Sequence, residues 1–97
     1  MANLGLFLRL EAKPGKEKIV AEFLETAQSM VVQENFAVTW YAFRFNENTF
    51  GIFDTFSSED SRNGHLSGRI AQQLAANASE LFSNKLDIEK LDILAAK

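Results

Sequence analysis

From Asn3 to Glu11 the chain alternates: Leu4, Leu6, Leu8 and Leu10 fall on one side of an extended backbone, Gly5, Phe7 and Arg9 on the other. Successive side chains of a strand point to opposite faces, so this period predicts a strand with one buried face and one mixed face. Ala12-Lys13-Pro14-Gly15 ends it, and Pro14 suits the first turn of a helix, where its missing N–H is not needed. The period then changes. Ile19, Val20, Phe23, Leu24, Ala27, Met30 and Val31 recur at helical spacing, which predicts a helix from Lys16 to about Gln33. Lys16, Glu17, Lys18, Glu22 and Glu25 occupy its solvent side, and Gln33 to Asn35 reads as a short polar connection.

Phe36 to Phe45 and Thr49 to Phe56 read as two strands joined by the turn signal Asn46-Glu47-Asn48. Phe36, Val38, Trp40 and Ala42 share one face of the first; Tyr41, Phe43 and Phe45 share the other. Phe50, Ile52, Asp54 and Phe56 share one face of the second, opposite Gly51, Phe53 and Thr55. Asp54 reads either as an acid in a pocket or as the partner of Arg9 or Arg44 across the sheet; the need of a buried charge for a partner favours the pair. Ser57-Ser58-Glu59-Asp60 is a helix start, with serine as cap and acids in the first turn. Gly64 makes this first helical piece short or kinked. The apolar stripe resumes from Leu66 with Ile70, Leu74, Ala78, Leu81 and Phe82, and Ser83-Asn84-Lys85 closes it. A last strand lies within Leu86 to Ala96, with Asp87, Glu89 and Asp92 as edge charges; its apolar pattern slips between Ile88 and Leu91 and leaves the register open.

The order β-α-β-β-α-β predicts an α+β, ferredoxin-like arrangement: one antiparallel sheet with both helices on one face. A hairpin that is apolar on both sides needs two covers. The helices supply one; a second copy of the same chain supplies the other most simply, which predicts a homodimer.

Composition narrows the partners. The chain of 97 residues reads as one domain, 1–97, with 46% hydrophobic and 24% charged residues and a departure from average in its nine phenylalanines. A net charge of −3 argues against nucleic acid, which demands a basic surface. There is no cysteine, which excludes disulfides, thiolate metal sites and cysteine nucleophiles. No apolar run has the length of a membrane span and no basic-then-apolar leader is visible, so the expected location is the cytoplasm, away from membranes.

Lys13-Pro14-Gly15-Lys16 ahead of an amphipathic helix, the run Phe50-Gly51-Ile52-Phe53-Asp54-Thr55-Phe56 leading to Gly64-His65-Leu66, and the closing stretch Ile88 to Lys97 together resemble the antibiotic biosynthesis monooxygenase family, in its quinol monooxygenase-like branch. The resemblance covers nearly the whole chain and rests on the order and spacing of these motifs. It implies a dimeric α+β barrel built from two ferredoxin-like subunits. It further implies oxidation of a small aromatic hydroquinone or polyketide-like phenol by dioxygen, without a cofactor or metal. A non-catalytic binding or stress-response dimer, or an isomerase of a small polar metabolite, is compatible with the same fold. Quinol monooxygenase-like members often carry a second histidine further along the helix; Ile70 to Ala75 has none. A haem-degrading role fits poorly, since His65 lies early in its helix and Trp40 is on a strand.

Cofactor-free oxygenation needs an aromatic slot, a base and a group that stabilises an anion. His65, the only histidine, is the candidate catalytic base, because imidazole exchanges protons near neutral pH. Trp40 is a candidate to stack on a planar ring and Tyr41 to donate its hydroxyl. Arg44 and Arg69 are candidates to hold an anionic oxygen. If the strand is regular, Trp40 and Tyr41 face opposite ways and at most one lines a given pocket.

Overall fold

The alternation at the start of the chain does produce a strand. In the computed structural model, which describes residues 2–97, β1 spans Leu4–Glu11, and Leu6, Leu8 and Leu10 are buried on one side of it. Helix α1 (Glu17–Glu34) follows a turn at Pro14-Gly15, so Pro14 precedes the helix instead of sitting in its first turn. Gly15 has φ 86°, a left-handed conformation that a side chain would strain. The helix ends at Asn35, also left-handed at φ 60°, whose N–H bonds back to the carbonyl of Val31.

Strand β2 runs Thr39–Asn46 and β3 runs Thr49–Phe56, joined by the two-residue turn Glu47-Asn48. The β2 pairing begins later than the apolar pattern suggested. Phe36 leaves the sheet, and its ring packs where a Cβ on Gly64 would lie, 2.7 Å from the nearest ring atom. Gly64 therefore makes room and does not break the helix. Helix α2 (Glu59–Leu66) passes through it, capped at Ser58, whose hydroxyl accepts from the N–H of Ser61. The break comes after it, at Ser67-Gly68, before α3 (Arg69–Leu81). Strand β4 is only Glu89–Asp92, its register fixed by Leu4 opposite Asp92 and Leu6 opposite Lys90.

The sheet order is β2-β3-β1-β4 with antiparallel pairs throughout, the ferredoxin-like arrangement. Val20, Leu24, Ala27 and Val31 of α1 and Ile70, Leu74 and Leu81 of α3 cover Leu8, Leu10, Phe50 and Ile52. Each large side chain removed from water this way contributes about 1.5–3 kcal/mol, which holds the helices on this face.

The opposite face of the sheet carries aromatic residues. Phe7 stacks near Phe43, Tyr41 on Phe53, and Phe43 meets Phe45 edge-on, with centroids 6.4, 6.5 and 5.3 Å apart. The guanidinium of Arg9 lies 4.6 Å from the centre of the Phe45 ring. Tyr41 and Phe45 remain about half exposed. Among the described residues, no helix is long and apolar enough to cross a membrane.

Candidate functional site

Asp54 faces the helices from the middle of the sheet, directly opposite Leu6 on β1 and Trp40 on β2. It is 1% exposed, so its carboxyl needs a partner from the covering layer. The last turn of α2 provides it. Nε2 of His65 lies 3.0 Å from Oδ2 of Asp54, and the imidazole rests against Phe56 with ring centres 5.4 Å apart. This corrects the expectation that Asp54 pairs with Arg9 or Arg44. Arg9 projects from the other face of the sheet, and Arg44 lies over the ring of Phe50 at 4.6 Å.

A third group closes the arrangement from behind. Glu34, the last residue of α1, sends Oε1 to within 3.6 Å of Nδ1 of His65, and its Oε2 accepts the N–H of Arg69 at the start of α3. The imidazole thus sits between two carboxyl groups, one at each nitrogen. They do not converge on one point, and among the described residues no cluster of His, Cys, Asp and Glu could hold a metal ion.

Beside this cluster lies a cavity of about 530 Å³ between the sheet and α3. Leu6, Leu8 and Ile52 form its floor; Ile70, Leu74 and Ala78 of α3 form its roof. Phe82, Leu86 and Ile88, in the segment leading to β4, bound it further. The walls are mostly apolar; Asp54, His65 and Trp40 make one polar patch in them, and Ser79, Asn84 and Lys85 also border the cavity. Two buried atoms there have no hydrogen-bond partner: Oδ1 of Asp54 and Nε1 of Trp40. One is an acceptor and the other a donor, on neighbouring strands at the same register, an arrangement that invites a ligand group able to serve both.

Of the residues that the sequence singled out, Trp40 and His65 come together at this cavity. Tyr41 is on the opposite face of the sheet, 55% exposed and stacked on Phe53. Arg44 borders a separate, shallow groove between α1 and β2. Arg69 gives its backbone N–H to Glu34 and leaves its side chain exposed. Sequence reasoning missed Glu34, which looked like part of a polar connection. It also assigned Asp54 the wrong partner, although a lone acid among Phe50, Ile52 and Phe56 near the only histidine was the available signal.

No family model matches the sequence, and no curated protein is similar enough to match. Solved structures do match. A Nitrosomonas europaea protein of unknown function, NE2512, is 47% identical over 100% of this chain and 94% of its own, with a TM-score of 0.95. A candidate antibiotic biosynthesis monooxygenase of Caulobacter crescentus superimposes with a TM-score of 0.81 at 16% identity, covering 97% of this chain and 92% of that one. Another antibiotic biosynthesis monooxygenase gives 0.79 at 13% identity, over 95% and 99%. By its identity this chain belongs to one family with the Nitrosomonas protein, and its fold is that of the antibiotic biosynthesis monooxygenases.

Proposed function

We propose that the protein is a cofactor-independent monooxygenase that binds one small aromatic hydroquinone or polyketide-like phenol in the cavity beside Asp54 and His65. The observation that carries this reading is the unpartnered pair, Oδ1 of Asp54 and Nε1 of Trp40, buried beside a mostly apolar cavity. A phenolic hydroxyl fits both: it donates to the carboxyl and accepts from the indole N–H. At the polar patch itself an anionic group would be set against the buried carboxyl of Asp54, whereas a neutral hydroxyl is not; Lys85 and Asn84 line another part of the cavity.

In an anthrone-type substrate, Asp54 Oδ1 takes the proton from the enol hydroxyl, with His65 holding the carboxyl in place. The resulting anion is electron-rich and passes one electron to dioxygen. The two radicals join in a C–O bond to give a hydroperoxide. Loss of the remaining C–H proton with O–O cleavage yields the carbonyl, leaving one oxygen atom in the product and the other in water. The substrate supplies every electron. The apolar walls exclude bulk water and strengthen the few polar contacts. Two chains associate through the aromatic face of the sheet, the cover that Tyr41, Phe45 and Phe53 lack in one copy.

The test is oxygen uptake by chelator-treated protein with a panel of hydroquinones and anthrones, beside Asp54→Asn and His65→Ala. The expected result is uptake above autoxidation, reduced about 10²- to 10⁴-fold in both variants, the usual worth of a positioned base. Uptake at the autoxidation rate across the panel would defeat the oxygenase reading and leave a non-catalytic binding protein.

A further inference from the structure

Behind the cavity, two buried polar atoms face only each other. Oε1 of Glu34 and Nδ1 of His65 lie 3.6 Å apart, and neither makes a hydrogen bond elsewhere. Glu34 does not line the cavity, so it is not placed to touch a ligand. Its carboxylate is nonetheless held in position. Oε2 receives the N–H of Arg69 at 2.7 Å, and the next residue back is Gly68, where a Cβ would lie 2.7 Å from that same oxygen. The φ of Gly68 is −81°, a value any residue adopts, so the glycine is required there by space and not by conformation.

We propose that Glu34 is a positioning residue: with a carboxyl group at each ring nitrogen, Nδ1–H is directed at Glu34 and Nε2–H at Asp54, and the imidazole is held between them, a role that rests on the reading of the cavity given above. Asp54 alone would fix one nitrogen and let the ring tilt about that contact. A carboxylate at the second nitrogen, tied to the backbone of another helix, removes that freedom. At 3.6 Å the contact is longer than a hydrogen bond, so Glu34 acts on the ring through charge at close range. The other charged groups near the ring are engaged or turned away. Arg62, one turn earlier on α2, donates to the carbonyls of Gly5 and Leu91 and to Glu59. The side chain of Arg69 is exposed. Glu34 is therefore the charge that faces Nδ1.

His65 is the only histidine, so long-range ¹H–¹⁵N spectra show its two ring nitrogens without overlap. Glu34→Gln keeps the size of the side chain and an oxygen for the N–H of Arg69. The expected result is that the Nδ1 signal moves toward its unprotonated position while Nε2 holds; Asp54→Asn moves Nε2 instead. Gly68→Ala, which crowds the carboxylate without altering it, moves Nδ1 in the same direction as Glu34→Gln. In oxygen uptake, Glu34→Gln lowers kcat about 10- to 100-fold, the scale of a small misplacement, and leaves KM within about twofold. An Nδ1 signal unchanged in both Glu34→Gln and Gly68→Ala, in protein with native near-ultraviolet circular dichroism, overturns the role. Absence of uptake in the unaltered protein ends the oxygenase reading instead, and the spectra still decide whether Glu34 holds the ring.

Discussion

Removing one hydroxyl from the ligand tests the polar patch of the cavity more directly than any substitution in the protein. Consider a hydroquinone and its mono- and dimethyl ethers, which have nearly the same shape and apolar surface. When the hydroxyl is present, Asp54 Oδ1 and Trp40 Nε1 both gain the partner they lack. When an ether oxygen replaces it, the acceptor of Asp54 faces another acceptor, and the added methyl group stands between the oxygen and the indole N–H. Leaving a buried polar group without a partner costs about 1–2 kcal/mol at the conservative end, hence about 2–4 kcal/mol for two, or a factor of roughly 30 to 700 in affinity. The assay is titration calorimetry under anaerobic conditions, so that no turnover confuses the binding. We expect the dimethyl ether to bind at least about 30-fold more weakly than the hydroquinone, and Asp54→Ala to shrink that difference by removing the acceptor. If the ether bound within about threefold of the hydroquinone, a spread of only about 0.7 kcal/mol, the two atoms would have no part in recognition and the assignment of a phenolic ligand would fall.

Further outcomes follow from the same geometry. Tyr41→Asp or Phe53→Asp places a charge on the aromatic face, and light scattering at micromolar concentration should show a dimer for the unaltered protein and a monomer for either variant; a monomer in all three refutes the paired-sheet assembly. Leu10→Ala, at a wholly buried position, should cost about 3–5 kcal/mol in urea unfolding, whereas Leu74→Ala should cost nearer 2, because Leu74 already borders an open cavity; equal losses would mean that the cavity is filled in solution. Arg62 donates to Glu59 at 2.8 Å, and this hydrogen bond, with the guanidinium charge, holds the Glu59 carboxyl below its usual range. A lowered folded-state value means that the contribution is fully present above the unfolded value near 4.5 and is lost as pH falls through the folded one. Glu59→Gln should therefore weaken the acid dependence of stability, followed by circular dichroism below about pH 4.5, and leave stability near neutrality slightly lower; an identical acid profile counts against the pairing.

The fold was legible because it is written in short-range periodicity. Leu4 to Leu10 alternate and Val20 to Val31 recur at helical spacing, and each pattern is enforced by a single buried face. The two-sided hairpin was legible for the same reason, and Tyr41 and Trp40 do face opposite ways. The cavity was less so, because its polar patch is assembled from β2, β3 and the end of α2, with Glu34 at the end of α1 behind it. Asp54 and His65 were both visible as candidates, yet their contact depends on where α2 crosses the sheet, which no local pattern encodes. Glu34 carried no signal at all: an acid in the stretch Gln33 to Asn35, a polar connection by its pattern, reads as solvated. Gly68 did not stand out either, since its importance lies in a carboxylate from a distant part of the chain. The placement of the α2–α3 break after Gly64 was decided likewise by a tertiary contact, the ring of Phe36 resting on that glycine.

The position of the indole has a practical side. Trp40 is the only tryptophan in the chain, and its ring borders the cavity with a buried N–H that has no partner. Excited at the red edge of indole absorption, the protein emits from this one ring, a few ångströms from where a ligand would bind. A ligand hydroxyl accepting from Nε1 would change the polarity sensed by the excited state and move its emission, and a quinone product, being a strong electron acceptor, would quench it. The protein thus carries its own optical gauge of occupancy, able to follow filling and emptying of the cavity on the stopped-flow timescale without a label.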